Sequence, residues 1–148
     1  MINRMFPKQL TNEYKGLKIA KWVFILITIV TLGRSLVHMF ARDGGAQSIA
    51  NIPLDRFSQN GAATAILIFS LWGLSQLLIG LVYTIVLWRY QALIPFMYLL
   101  IVIEYVMRIV LSMLKPIVVM GTAPGAVGNY IFVPIAIGML VLSLRQKG

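Results

Sequence analysis

Four side chains able to carry charge sit inside stretches that are otherwise apolar: Arg34, His38, Glu104 and Arg108. Arg34 and His38 are four residues apart, as are Glu104 and Arg108, so each pair shares one face of a helix. Gln76 and Asn129 add neutral hydrogen-bonding groups to two further apolar stretches. A charge placed near mid-bilayer costs about 2.5–3.5 kcal/mol on insertion scales, so such charges are expected to meet one another. The economical arrangement brings Arg34 to Glu104 across helices and Arg108 to Glu104 along one helix. Two arginines against one glutamate leave a residual positive charge. That charge suits an anionic or carbonyl-bearing guest, such as a lipid phosphate, a fatty-acid carboxylate or a quinone.

Two other chemistries use the same residues. Glu104 or His38 could act as general acid/base on a lipid-soluble substrate, with Arg34 stabilising developing negative charge. The polar groups could also serve only as glue between helices. His38 lies beside Met39 and Phe40 and reads as an interface residue or a proton relay. No metal centre is expected, because His38, Asp43, Asp55 and Glu104 show no ligand spacing. The chain has no cysteine, which excludes disulfides and thiolate chemistry. Gly121, Gly125 and Gly128 lack the lysine of a phosphate loop. No cofactor is implied.

The elements that must position these groups follow from composition. The 148 residues are 59% hydrophobic and only 11% charged, whereas a soluble domain carries about a quarter charged residues. Lipid is therefore expected as the solvent for most of the chain. Apolar runs at about 22–41, 61–87, 92–114 and 127–144 are each near the ~20 residues needed to cross a bilayer. The first run follows a basic leader, as a secretory signal does. Its small-residue pattern around Gly44 and Ala46 is a poor cleavage site, so it reads as a true span. Residues 1–21 are polar and basic, either a solvated tail or a short interfacial helix with Pro7 at or before its start. Residues 42–60 and 115–129 carry glycine and proline breakers and read as loops. The short turn Trp88-Arg89-Tyr90-Gln91 makes the second and third spans antiparallel neighbours.

Helical rise sets the depths. Arg34 is twelve residues beyond Trp22 and Glu104 twelve beyond Ala92, so both stand roughly 18 Å into their spans. Gln76 falls near that level, and His38, Arg108 and Asn129 form a second layer about one turn further on. On the second span, Ala65, Phe69, Gly73, Gln76, Gly80 and Tyr83 make a stripe that reads as its packing face.

The +9 net charge is distributed asymmetrically. Arg4, Lys8, Lys15, Lys18, Lys21, Arg89, Arg145 and Lys147 lie at the termini or the short turn, against Arg42, Arg56 and Lys115 in the other loops. The positive-inside rule then puts both termini in the cytoplasm. No nucleic-acid motif accompanies the charge, and membrane lipids are the expected partners.

The length, the four spans and Gly33-Arg34 late in the first span resemble the DoxX-like and BphX-like small four-helix bacterial membrane proteins. Glu104, Arg108 and the loop DGGAQSIANIPLD lie outside that likeness. The resemblance implies an inner-membrane accessory role beside a membrane partner in redox or stress pathways, and it assigns no functional residue. The expectation is an all-α integral membrane four-helix bundle, N and C termini cytoplasmic. It would be non-enzymatic, binding a lipid-like or quinone-like ligand at Arg34, His38, Gln76, Glu104, Arg108 and Asn129. The alternatives are a membrane enzyme using Glu104 and His38, or a homo-oligomeric channel or transporter.

Overall fold

The computed structural model describes residues 2–145, which are all helix and connecting turn, with no strand among them. A short helix α1 (Ile2–Met5) precedes four long ones: α2 (Lys18–Phe40), α3 (Gln59–Arg89), α4 (Ile94–Leu114) and α5 (Pro124–Leu144). Each long helix, counted with the turn Gln91–Leu93 in the case of α4, is long and apolar enough to cross a membrane. Long runs of Leu, Ile, Val and Ala favour helix, which satisfies every interior backbone group within the segment.

Breakers fall where the helices stop. Gly44 and Gly45 take positive φ just beyond α2, a conformation glycine adopts without steric cost. Ser58 caps α3 by accepting the Gly61 N–H at 3.2 Å. Pro95 sits in the first turn of α4, and Pro124 opens α5 three residues before the boundary expected from hydropathy. Both prolines occupy positions where a missing N–H costs nothing. Pro134 lies inside α5 without interrupting it.

The long helices pack as two close pairs, α2 with α3 and α4 with α5, and the pairs meet chiefly through α2 and α5. α3 and α4 are joined by the expected tight turn, yet they touch only sparingly. The reason lies in the glycines of α3, which let α2 approach. A Cβ at Gly73 would stand 2.8 Å from the His38 Cβ and 3.0 Å from both Met39 N and Ser35 O. One at Gly80 would stand 2.6 Å from Leu32 Cδ2. Gly73, Gln76, Gly80 and Tyr83 are all buried, so the lower part of the expected stripe is the α2-facing side of α3.

Packing is uneven along the bundle. The core gathers at the end that holds the termini, around Phe24, Tyr83, Ile94, Tyr98 and Ile101. The Tyr98 hydroxyl donates to Ala20 O at 2.6 Å and ties α4 to α2 there. The N-terminal segment is part of this end and not a free tail. Leu17 N–H donates to Leu142 O at 3.2 Å, Ala92 N–H donates to Thr11 O at 3.2 Å, and the Phe6 ring lies 5.5 Å from that of Phe96. Pro7 follows α1 instead of starting a helix, since an early proline stops a four-residue turn from extending. Burial pushes the Tyr14 hydroxyl up to about 12.

At the opposite end, the last turns of α4 and the first of α5 expose Val106, Met107, Val110, Leu111, Val127 and Ile131. The 115–123 connection docks on the first loop through Met120 N–H, which donates to Asn51 O at 2.8 Å.

Gly73→Ala should therefore lower stability by about 1–3 kcal/mol, because the new methyl meets backbone that cannot yield. Gly33→Ala, where nothing lies within 4 Å, should be neutral or stabilising by about 0.5–1 kcal/mol. Thermal unfolding of both variants in mild detergent checks the contrast.

Candidate functional site

The polar groups of three helices meet above the core, in the less tightly packed half. Arg34 on α2 donates from Nη2 to Gln76 Oε1 on α3 at 2.7 Å. The Gln76 Nε2 donates in turn to Glu104 Oε1 on α4 at 3.0 Å. Arg108, one turn along α4, donates from Nε to the same Glu104 oxygen at 3.1 Å and closes the ion pair through Nη2. The order is thus arginine, amide, carboxylate, arginine. Gln76 is oriented by the two charges it separates, oxygen toward the cation and NH2 toward the anion.

Equal depth in their spans predicts that Arg34 meets Glu104 directly. The two form no ion pair within 4 Å among the described residues, and Gln76 is the bridge. The physical reason is spacing: α2 lies close on α3, while α4 stands farther off. The Gln76 amide fills the gap that a direct pair would have to close.

Trp72 completes the site and was missed from the sequence. Its ring lies 5.5 Å from the Arg34 guanidinium carbon and 4.9 Å from that of Arg108. Two cations over one indole are attracted by its electron-rich face, at about 0.5–2 kcal/mol each. The available signal was its position one turn before Gln76 on the same face of α3. Arg108 also lies over the Tyr105 ring at 5.3 Å, and Tyr105 stacks on Phe132 of α5 at 5.2 Å.

The expected second layer does not form as a network. His38 is buried and turned toward the first loop, where its Nδ1 lies 2.8 Å from Gly44 O. A carbonyl can only accept, so Nδ1 carries the proton. The imidazole packs on Trp72 at 4.6 Å and on Phe69 at 5.9 Å. The Asn129 side chain, half-buried in the first turns of α5, makes no hydrogen bond among the described residues.

Beside the cluster, α2 and α5 part to leave a cavity of about 280 Å³. Leu26, Val30, Phe132 and Ile135 line it together with Tyr105 of α4, and Arg34 is its one charged wall. Leu26, Val30 and Ile135 are themselves exposed, so the groove opens sideways. Among the described residues, Arg34 Nε is the sole buried side-chain polar atom without a hydrogen-bond partner. Such a donor costs about 1–3 kcal/mol when left unmade. A larger cavity of about 410 Å³ lies at the terminal end, near Asn3, Gln9, Glu13 and Lys15. Its Glu13 and Lys15 already pair with each other at 3.4 Å, and it has no share in the buried cluster. No three His, Asp or Glu side chains gather to hold a metal among the described residues.

The loop that receives His38 is built on Asp43, whose carboxylate accepts from the N–H groups of Gly45 at 2.9 Å, Gln47 at 3.1 Å and Ser48 at 2.6 Å. Partial burial pushes the Asp43 carboxyl up, but the Ser48 and Gly45 N–H groups outweigh it and hold it down at about 2.

Compared with known proteins, the chain matches no family model, no curated protein and no solved structure.

Three predictions follow from this geometry. Glu104→Ala should cost about 1–3 kcal/mol and Glu104→Ala with Arg108→Ala less, because one unpaired arginine is then removed. The Arg34–Glu104 coupling in a double-mutant cycle should vanish in a Gln76→Leu background, read by thermal unfolding. Asp43 has a folded pKa below its unfolded value near 3.9, so its contribution is present above about pH 4 and lost as pH falls toward 2. Protection of the Gly45 and Ser48 amides against hydrogen exchange, relative to the unfolded chain, should fall over that window and be low at every pH in Asp43→Asn.

Proposed function

We propose that this is a multi-pass membrane protein that binds a lipid-like or quinone-like ligand in the groove between α2 and α5, with Arg34 receiving its polar end. The observation that carries the reading is Arg34, the one charged residue lining an apolar groove open to the side, whose buried Nε has no hydrogen-bond partner. An isolated donor at the end of an apolar channel is the pattern of a small-ligand site, where few polar groups fix orientation. The cluster formed by Arg34, Gln76, Glu104 and Arg108 carries one net positive charge, so it favours an anionic or carbonyl-bearing head.

Both termini and the Gln91–Leu93 turn face the cytoplasm, by the excess of lysine and arginine at that end. The charged cluster then stands in the outward half of an inner membrane. Apolar faces such as Leu67, Ile68, Leu71, Leu78 and Ile85 of α3 meet lipid tails. Binding is favoured over catalysis because the candidate base His38 is committed to Gly44 O and packed under Trp72. An accessory role beside a membrane partner, as the resemblance to DoxX-like proteins implies, is the setting we favour.

Mass spectrometry of what co-purifies in mild detergent tests the reading. One defined amphiphile or quinone should accompany the wild type and be lost from folded Arg34→Ala. Bulk lipid alone in both samples would contradict it. The absence of cysteine makes topology simple to score. Ser48→Cys should react with an impermeant maleimide from outside intact cells, and Asn12→Cys only after lysis.

A further inference from the structure

The dimensions and charge of the groove narrow the class of ligand. From Val23 to Arg34 the groove runs along eleven residues of α2, about 16 Å of helix. Its volume of about 280 Å³ is just below the roughly 300–1,000 Å³ range of drug-sized pockets. A void this long and this small is slim. It suits one hydrocarbon chain lying along α2.

The head must match the cluster. Its two guanidinium groups and one carboxylate sum to a single positive charge, which one negative charge neutralises. A phosphate monoester carries about −1.5 to −2 and would leave excess negative charge in a half-buried site. Arg34 has Nη2 committed to Gln76, while its Nε–H is uncommitted. A planar carboxylate is the head group that a guanidinium recognises best, through parallel N–H bonds. The groove is open to the side at Leu26, Val30 and Ile135, so a chain dissolved in the bilayer enters laterally.

We infer that the ligand is a single-chain monoanion, a hydrocarbon chain ending in a carboxylate, lying along α2 with its head on Arg34. This rests on the ligand-binding reading and specifies it. Gln76 acts as the charge spacer: its neutral amide joins Arg34 to Glu104 without cancelling the positive charge that attracts the head.

Equilibrium binding to the full chain in nanodiscs, with empty discs subtracted, tests it. The probes are radiolabelled palmitate, hexadecanol, hexadecyl phosphate and an isoprenoid quinone. Palmitate should saturate at one per chain and bind about tenfold or more tightly than hexadecanol or hexadecyl phosphate. Gln76→Glu keeps a partner for Arg34 but takes the cluster from one net positive charge to zero, and should weaken palmitate by a similar factor. Val30→Trp fills the groove away from the cluster and should abolish binding with Arg34 untouched. Equal binding of hexadecanol, preference for hexadecyl phosphate, or unchanged palmitate binding in Gln76→Glu would overturn the monoanion. Quinone bound in place of palmitate, and lost in Val30→Trp, would also overturn it while leaving the groove as the ligand site. No saturable probe at all would overturn both.

Discussion

The hydrogen-bonded run from Arg34 through Gln76 to Glu104 and Arg108 is the interaction on which the upper half of this bundle depends. Below it, aromatic and aliphatic side chains fill the space between helices, and α4 is tied to α2 by Tyr98. Above it, α4 and α5 expose apolar side chains on their last and first turns, and little packing joins α3 to α4. The polar run crosses from α2 to α3 to α4 at the boundary between these regimes. In an apolar surrounding, the alternative for each member is an unpaired charge or an unsatisfied amide, so the four side chains hold one another in register.

The same constraint creates the site. Because α2 is drawn onto α3 by Gly73 and Gly80, it leaves a gap on its other side, toward α5. Arg34 stands at the junction, with Nη2 engaged on the α3 side and the groove on the other. Trp72 supports both guanidinium groups and at the same time covers His38. One helix face thus sets the charge balance, the close helix contact and the histidine orientation. The groove remains apolar apart from its head, which is the combination an amphiphile requires.

Much of this was legible in the sequence, and the parts that were not have physical causes. Hydropathy placed the four helices to within a few residues, because a run of aliphatic side chains long enough to cross a bilayer leaves little choice of structure. Helical spacing put Glu104 and Arg108 together, since an i,i+4 pair is fixed by the helix itself. It could not show that Gln76 intervenes between Arg34 and Glu104, because interhelical distance is set by which face carries the glycines. Equal depth likewise suggested a second layer of His38, Arg108 and Asn129, but depth says nothing about rotation. His38 turns to the loop carbonyl of Gly44, a contact created by two positive-φ glycines. The ordered N-terminal segment was also beyond reach, as its partners Leu142, Ala92 and Phe96 are remote in sequence.

Solid-state NMR on the protein in bilayers reaches the central claim most directly, through the distances from Arg34 guanidinium nitrogen to Gln76 Cδ and from Gln76 Nε2 to Glu104 Cδ. The hydrogen-bonded bridge predicts both at about 4 Å, the separation a hydrogen bond to the carbonyl or carboxylate oxygen imposes. A short distance from Arg34 to Glu104 with Gln76 remote from both, or the absence of either coupling, would contradict it.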